Sequence, residues 1–181
     1  MREELIIQHC SPVLAGLKTA NMFTCDCENY SVLENELKEI NDVITKKGLK
    51  AIPLKFSEKR AIVYIYRPKR LENDLNNPVA DKILRKCGYE CKNCEQCLSR
   101  LMCRLENQND FPHEIGLFLG YPPEDVNGFI EKKECKLTGF WKVYTNPEKA
   151  EKKFEQYRKC MKVYYSCWLE GYTLEKLAVS L

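Results

Sequence analysis

Residues 51–66 read AIPLKFSEKRAIVYIY, two apolar runs joined by Ser57-Glu58-Lys59. Short runs rich in β-branched and aromatic residues, broken by a polar turn, predict a β-hairpin of Ala51–Phe56 and Arg60–Tyr66. The second run differs from the first. Every position of Ala61–Tyr66 is apolar or aromatic, so both faces need cover and the strand is expected at the centre of a sheet. Helical patterns flank this hairpin on both sides. The expected fold class is therefore α+β: a small, mainly antiparallel sheet of three to four strands packed by several helices. At 181 residues, with no linker-like or repeated segment, a single domain over 1–181 is expected.

Upstream of the hairpin, Ser11-Pro12 reads as a helix start, with Ser11 capping and Pro12 in the first turn. Ala20–Cys25 suits a brief strand. Ser31 and Glu34 make a capping box for a helix carrying Leu33, Leu37, Ile40 and Ile44, stopped by Gly48. Downstream, Asn77-Pro78 starts a helix that Gly88 ends, and a cysteine-rich helix is expected over Glu90–Glu106. Phe111–Lys133 reads as two short helices around Gly120-Tyr121-Pro122, and Leu137–Tyr144 as a strand. Asn146-Pro147 opens the longest helix, with Ala150, Phe154, Tyr157, Met161, Tyr164 and Trp168 at three-four spacing. A last short helix follows Thr173.

Composition narrows the class of protein. Hydrophobic content of 44% with 30% charge is that of a globular chain rather than a disordered one. The opening MREELIIQHC holds no long apolar stretch, so no secretory signal is read and a cytoplasmic protein is expected. The 11 cysteines are an odd number without an export signal, which predicts reduced thiols. Charge is uneven. Nine basic residues and one acid, Glu58, lie between Lys46 and Arg70, a local excess of eight that would attract an acidic partner.

Several side chains carry chemistry. Cys87, Cys91, Cys94 and Cys97 stand at spacings by which thiolates can reach one ion, so zinc or an iron–sulfur cluster is the metal expectation. Packing as small hydrophobes beside Leu98, Leu101 and Leu105 is the plainer use of the same cysteines. Cys10, placed before the helix start read at Ser11, would feel the positive end of the helix dipole and become a nucleophile. His9 is its neighbour. His113, oriented by Glu114, would be the base for a cysteine-nucleophile enzyme. Lys142, between Phe140 and Tyr144 on an apolar run, suits an anionic ligand or a sheet edge where it reaches solvent. The glycine and apolar spacing of Glu114–Ile130 is that of a helix–turn–helix. Glu124 and Asp125 stand where phosphate contacts would be needed, however, so nucleic acid is not expected and a packed corner of two helices is.

At FPHEIGLFLGYPPEDVNGFIE, CKLTGFWKVY, NPEKAEKKFEQYRKC and HCSPVLAGLKTANMF, the chain resembles an uncharacterised bacterial family, the domain of unknown function 3793, typical of clostridial anaerobes. The resemblance brings no established activity. His9, Cys10, Lys18, Asn21, His113, Glu114, Lys142 and Tyr144 stand at positions typical of that family, which adds Asn21 and Tyr144 to the ligand-binding candidates His9 and Lys142. Cys87, Cys91 and Cys94 are less typical of it. An association of such genes with iron-uptake and flavodoxin genes implies a redox or iron setting and a flavodoxin-like or other acidic partner. Three functions are thus expected in rank order. The first is a cysteine-rich protein of anaerobic redox or iron physiology, binding a metal or cluster through thiolates. The second is an enzyme using Cys10 with His113, and the third a scaffold docking an acidic partner on the basic hairpin.

Overall fold

The computed structural model describes residues 3–107 and 111–181. In chain order its elements are α1 (Glu3–Leu14), β1 (Ala20–Asp26), α2 (Tyr30–Ile44), β2 (Lys50–Ser57), β3 (Arg60–Tyr66), α3 (Pro68–Leu75), α4 (Pro78–Lys86), α5 (Cys94–Asn107), α6 (Ile115–Phe118), α7 (Pro123–Ile130), β4 (Leu137–Thr138), β5 (Lys142–Val143), α8 (Pro147–Leu169) and α9 (Leu174–Leu177). The fold is α+β. The chain forms two compact units, one of residues up to Lys69 with Lys159–Leu181, the other Arg70–Arg158.

The first unit is built on an antiparallel sheet ordered β1-β3-β2, with β3 central as its two apolar faces require. Ala61, Val63 and Ile65 look into a core shared with Ile6, Cys10, Leu14, Leu33, Leu37 and Ile44. On the other face Tyr64 and Tyr66 are also buried, their rings stacked 5.0 Å apart. The hairpin turn is tighter than the three residues expected: Ser57 pairs with Arg60, and Glu58 and Lys59 take φ of 50° and 65°. Two left-handed residues match the twist of the strands they join. β2 tolerates Pro53 because it is an edge strand, and the ladder slips between Pro53 and Lys55. Asn41 on α2 completes that edge, donating to the Ala51 carbonyl and accepting from its amide, both at 2.8 Å.

Two helix starts in this unit differ from expectation. α1 runs from Glu3 through Ser11-Pro12 instead of beginning there. Ile6, Ile7, Cys10, Val13 and Leu14 keep one buried face across the proline, and the Ser11 hydroxyl donates back to the Ile7 carbonyl. Apolar periodicity outweighs the local start signal. α2 is capped by Asn29, which accepts from the Val32 amide at 3.0 Å, two residues before the capping box expected at Ser31.

In the second unit α4 begins on its expected cap, Asn77, and α5 at Cys94, four residues after the expected start, because Asn93 accepts from the Gln96 amide at 2.9 Å. α3 was not legible as a helix: only Leu71 and Leu75 of PKRLENDL are buried. The run expected as one strand, Leu137–Tyr144, is a two-stranded hairpin folded at Gly139-Phe140-Trp141. A Cβ on Gly139 would collide with the Phe154 ring, so only glycine lets the turn lie this close to α8. Trp141, Val143, Ala150, Phe154 and Tyr157 form the core between that hairpin and the start of α8.

Candidate functional site

The α6–α7 corner is the element that shapes the site. Gly120, at φ 71°, turns the chain between the two helices, and the Tyr121 amide closes the turn on the Gly116 carbonyl at 2.9 Å. The helices cross where Gly116 lacks a side chain: a Cβ there would lie 2.8 Å from Val126 Cγ2. Asp125, in the first turn of α7, is 2% exposed. Its Oδ1 accepts from the Tyr144 amide (2.9 Å), the Thr145 amide (3.0 Å) and the Thr145 hydroxyl (2.9 Å). Its Oδ2 accepts from the Trp141 indole at 2.9 Å. One carboxylate thus fastens the hairpin to the corner by hydrogen bonds of the charge-assisted kind.

Between these parts lies a pocket of about 610 Å³. Its walls are apolar and aromatic, with Ile115, Val126 and Phe129 on the corner and Trp141 on the hairpin. Trp141 is stacked on Tyr121 at 5.3 Å and meets Phe154 edge-on at 4.5 Å, which holds the indole in place. Two polar groups converge at Phe129. The Lys142 ammonium lies 5.3 Å from the centre of its ring, and the His113 imidazole meets the same ring edge-on at 4.9 Å. Both side chains belong to exposed residues. An adjoining recess of about 300 Å³ is lined by His113, Phe129, Lys142, Tyr144 and Cys135. The Cys135 thiol donates to the Leu137 carbonyl at 3.2 Å. A third, more polar recess of about 420 Å³ shares Tyr121, Asp125 and Trp141 and is bordered by Asn73, Asn77 and Lys149.

So the structure brings together His113, Lys142 and Tyr144. Glu114, expected to orient His113, is spent elsewhere. It is buried, lies 2.8 Å from Arg104 Nε as an ion pair, and accepts from the Tyr89 hydroxyl at 3.0 Å. Burial and the adjacent Glu114 carboxylate push the Tyr89 phenol well above its ordinary value, which keeps it a donor.

His9, Cys10, Lys18 and Asn21 come together in the first unit. Lys18 Nζ donates to Asn21 Oδ1 at 2.6 Å, and Asn21 Nδ2 donates to the His9 carbonyl at 2.6 Å. The His9 ring stacks on Phe23 at 5.3 Å. Cys10 lies well inside α1, not ahead of it, and is fully buried. Burial pushes its thiol up to about 12 against the pull of the Lys18 ammonium, so it is a neutral thiol near pH 7. The same burial lowers Lys18 to about 8. His113 belongs to the other unit.

Among the four cysteines expected to hold a metal, Cys91, Cys94 and Cys97 line one recess with Glu72 and Asp81. Cys87 caps α4 and is influenced by the Glu114–Arg104 pair. Among the described residues no three His, Cys, Asp or Glu side chains are arranged to hold a metal ion, and all 11 cysteines are free thiols. Of the basic residues between Lys46 and Arg70, Arg67 is interior and Arg60 lies 3.3 Å from Asp26, while Lys46, Lys50, Lys59 and Lys69 stay exposed. No helix among the described residues is long and apolar enough to cross a membrane.

Sequence reading missed Asp125 and Cys135. Asp125 looked like an ordinary acid in a first helical turn; Trp141 and Thr145, which it serves, lie 16 and 20 residues away. No local signal marks such a partnership.

Residues 6–178 match the family described as Protein of unknown function (DUF3793), and the chain belongs to it. No curated protein and no solved structure matches the chain.

Proposed function

We propose that the second unit is a binding module for a small molecule with an apolar body and one anionic group, the anion being received by Lys142 and His113. The observation that carries this reading is the pairing of those two polar side chains on Phe129, at the edge of a pocket whose other walls are apolar except for Asp125, whose carboxylate is already taken up by hydrogen bonds from the hairpin. Pockets of this volume, apolar with a few convergent polar groups, are the usual form of small-molecule sites. The cation also gains from the ring it covers, by roughly 0.5–1 kcal/mol for an exposed pair, so Lys142 is held near the pocket before a ligand arrives.

The fluorescent sulfonate 8-anilinonaphthalene-1-sulfonate, with dodecanoate as competitor, tests this. Saturable binding that dodecanoate displaces is expected. Lys142→Met should weaken both by about tenfold, the size of one lost charge-assisted contact, with no change in unfolding midpoint. Equal affinity in wild type and variant would remove the reading.

A second reading rests on Cys91, Cys94 and Cys97 meeting at one recess: a cytoplasmic metal or redox role carried by thiols. Iron or zinc bound stoichiometrically after anaerobic purification supports it. A metal-free protein that neither oxidises nor labels at these cysteines counts against it.

A further inference from the structure

The start of α5 holds its cysteines in a defined arrangement. Asn93 is the cap, accepting from the Gln96 amide at 2.9 Å, and the Gln96 side chain reaches back to accept from the Lys92 amide at 2.8 Å. The Cys97 amide donates to the Asn93 carbonyl at 3.2 Å, the first full turn of the helix. Such reciprocal capping fixes the entry angle of the chain, so that a residue just ahead of the cap lies over the fourth helical residue. In many helices that contact is made by two apolar side chains. Here Lys92 stands at that place with Cys91 next to it; Cys91 lines the same small recess as Cys97 and is the neighbour that bears most on the Cys97 thiol. Cys97 is buried, whereas Cys91 is only half-buried and open to attack. The arrangement is that of an attacking thiol and a resolving one.

We propose that Cys91 and Cys97 are a redox-active dithiol that a low-molecular-weight disulfide such as glutathione disulfide converts to an intramolecular disulfide. The Cys91 thiolate attacks one sulfur of the oxidant, breaking its S–S bond and releasing one glutathione thiolate. Cys97 then yields its proton to that thiolate and attacks the Cys91 sulfur of the mixed disulfide. The Cys91–Cys97 bond forms and the second glutathione leaves. Two protein thiols are oxidised, and one disulfide is reduced to two thiols. The inference rests on the thiol reading and is independent of the anionic ligand.

Sequence makes the test direct. Trypsin cuts after Lys92, so Cys91 leaves on CGYECK and Cys97 on NCEQCLSR, peptides that stay joined only through a disulfide. The full chain is equilibrated anaerobically in glutathione buffers of graded ratio, quenched with N-ethylmaleimide, digested and fragmented in a mass spectrometer. The Cys91–Cys97 linkage is expected to pass half-formation where exposed Cys103 is less than about one-tenth glutathionylated, because a neighbouring thiol resolves the mixed disulfide. It should persist in Cys87→Ser and Cys94→Ser. Wild-type peptides that remain separately alkylated after Cys103 is fully glutathionylated would overturn the proposal. So would linkage through Cys87 or Cys94. Neither result bears on sulfonate binding.

Discussion

In each unit a buried charged side chain gathers hydrogen bonds from several segments, Arg67 in the first and Asp125 in the second, and the two are of opposite sign. In the first, the Arg67 guanidinium donates to the carbonyls of Val13 (2.9 Å), Leu14 (2.8 Å), Lys47 (3.2 Å) and Val179 (2.8 Å). It closes the C-terminal end of α1, where carbonyls lack helical partners. In the second, the Asp125 carboxylate gathers N–H and O–H donors from the hairpin. What surrounds the two differs. The chain around Arg67 is sealed, with Cys10 and Lys18 inside it. The chain around Asp125 leaves a pocket open beside it. A buried charge is costly without full hydrogen bonding, whatever else it serves. That cost is met in both units, and in the second the exposed His113 and Lys142 also converge on a pocket, which is why the functional reading falls there.

The comparison breaks most sharply at Asp125. Asp125→Ala leaves the Trp141 indole and the Tyr144 amide buried without an acceptor and is expected to cost about 4 kcal/mol in urea unfolding, from several charge-assisted bonds lost together. Asp125→Asn is milder. Its carbonyl oxygen can keep the Oδ1 contacts, but its amide then points an N–H at the indole. Sulfonate binding should fall in both variants, more than any loss of helix signal. Unchanged stability in Asp125→Ala would mean the hairpin is held by its aromatic packing alone.

Arg67→Met should cost less, about 3 kcal/mol. The reason is specific: two of its acceptors keep another partner, Val13 through the Gly16 amide at 3.0 Å and Leu14 through the Val179 amide at 3.0 Å. Sulfonate affinity should not move. If it falls together with stability, the division of labour between the units is wrong.

Legibility followed locality. β3 was readable as central because six of its seven residues, Ala61–Tyr66, are apolar or aromatic on both faces, and the starts of α4 and α8 because Asn77 and Asn146 cap them from the adjoining position. α1 misled because Ser11-Pro12 is a start signal that a longer apolar period overrides. Leu137–Tyr144 misled because an apolar run looks like a strand, whereas its fold is decided by Asp125 and Phe154, distant in sequence. The site divides the same way. His113, Lys142 and Tyr144 were readable as chemistry, but their meeting depends on the α6–α7 corner and the hairpin. Glu114 looked like the partner of His113 by adjacency, yet its side chain runs to Arg104 and Tyr89.

The smallest expected effect sharpens the sealed half of the comparison. Lys18 is held at about 8 in the folded chain against an ordinary 10.5, because burial disfavours the ammonium. The unfolded chain therefore binds more protons between those values, and stability should rise with pH there. Cys10 works in reverse. Its thiol is pushed up to about 12 from 9.0, so unfolding is favoured as pH climbs above 9. The clean window lies below that, and between pH 7 and 9 the Lys18 contribution amounts to about 1 kcal/mol gained. Neutral Lys18 can still donate to Asn21, so that contact survives the loss of charge. Lys18→Met removes the titrating group, and its urea midpoint should show no such rise, whatever its absolute stability. Parallel pH profiles for wild type and Lys18→Met would show that the ammonium is hydrated in solution, and that the first unit is less tightly closed around Cys10 than its burial implies.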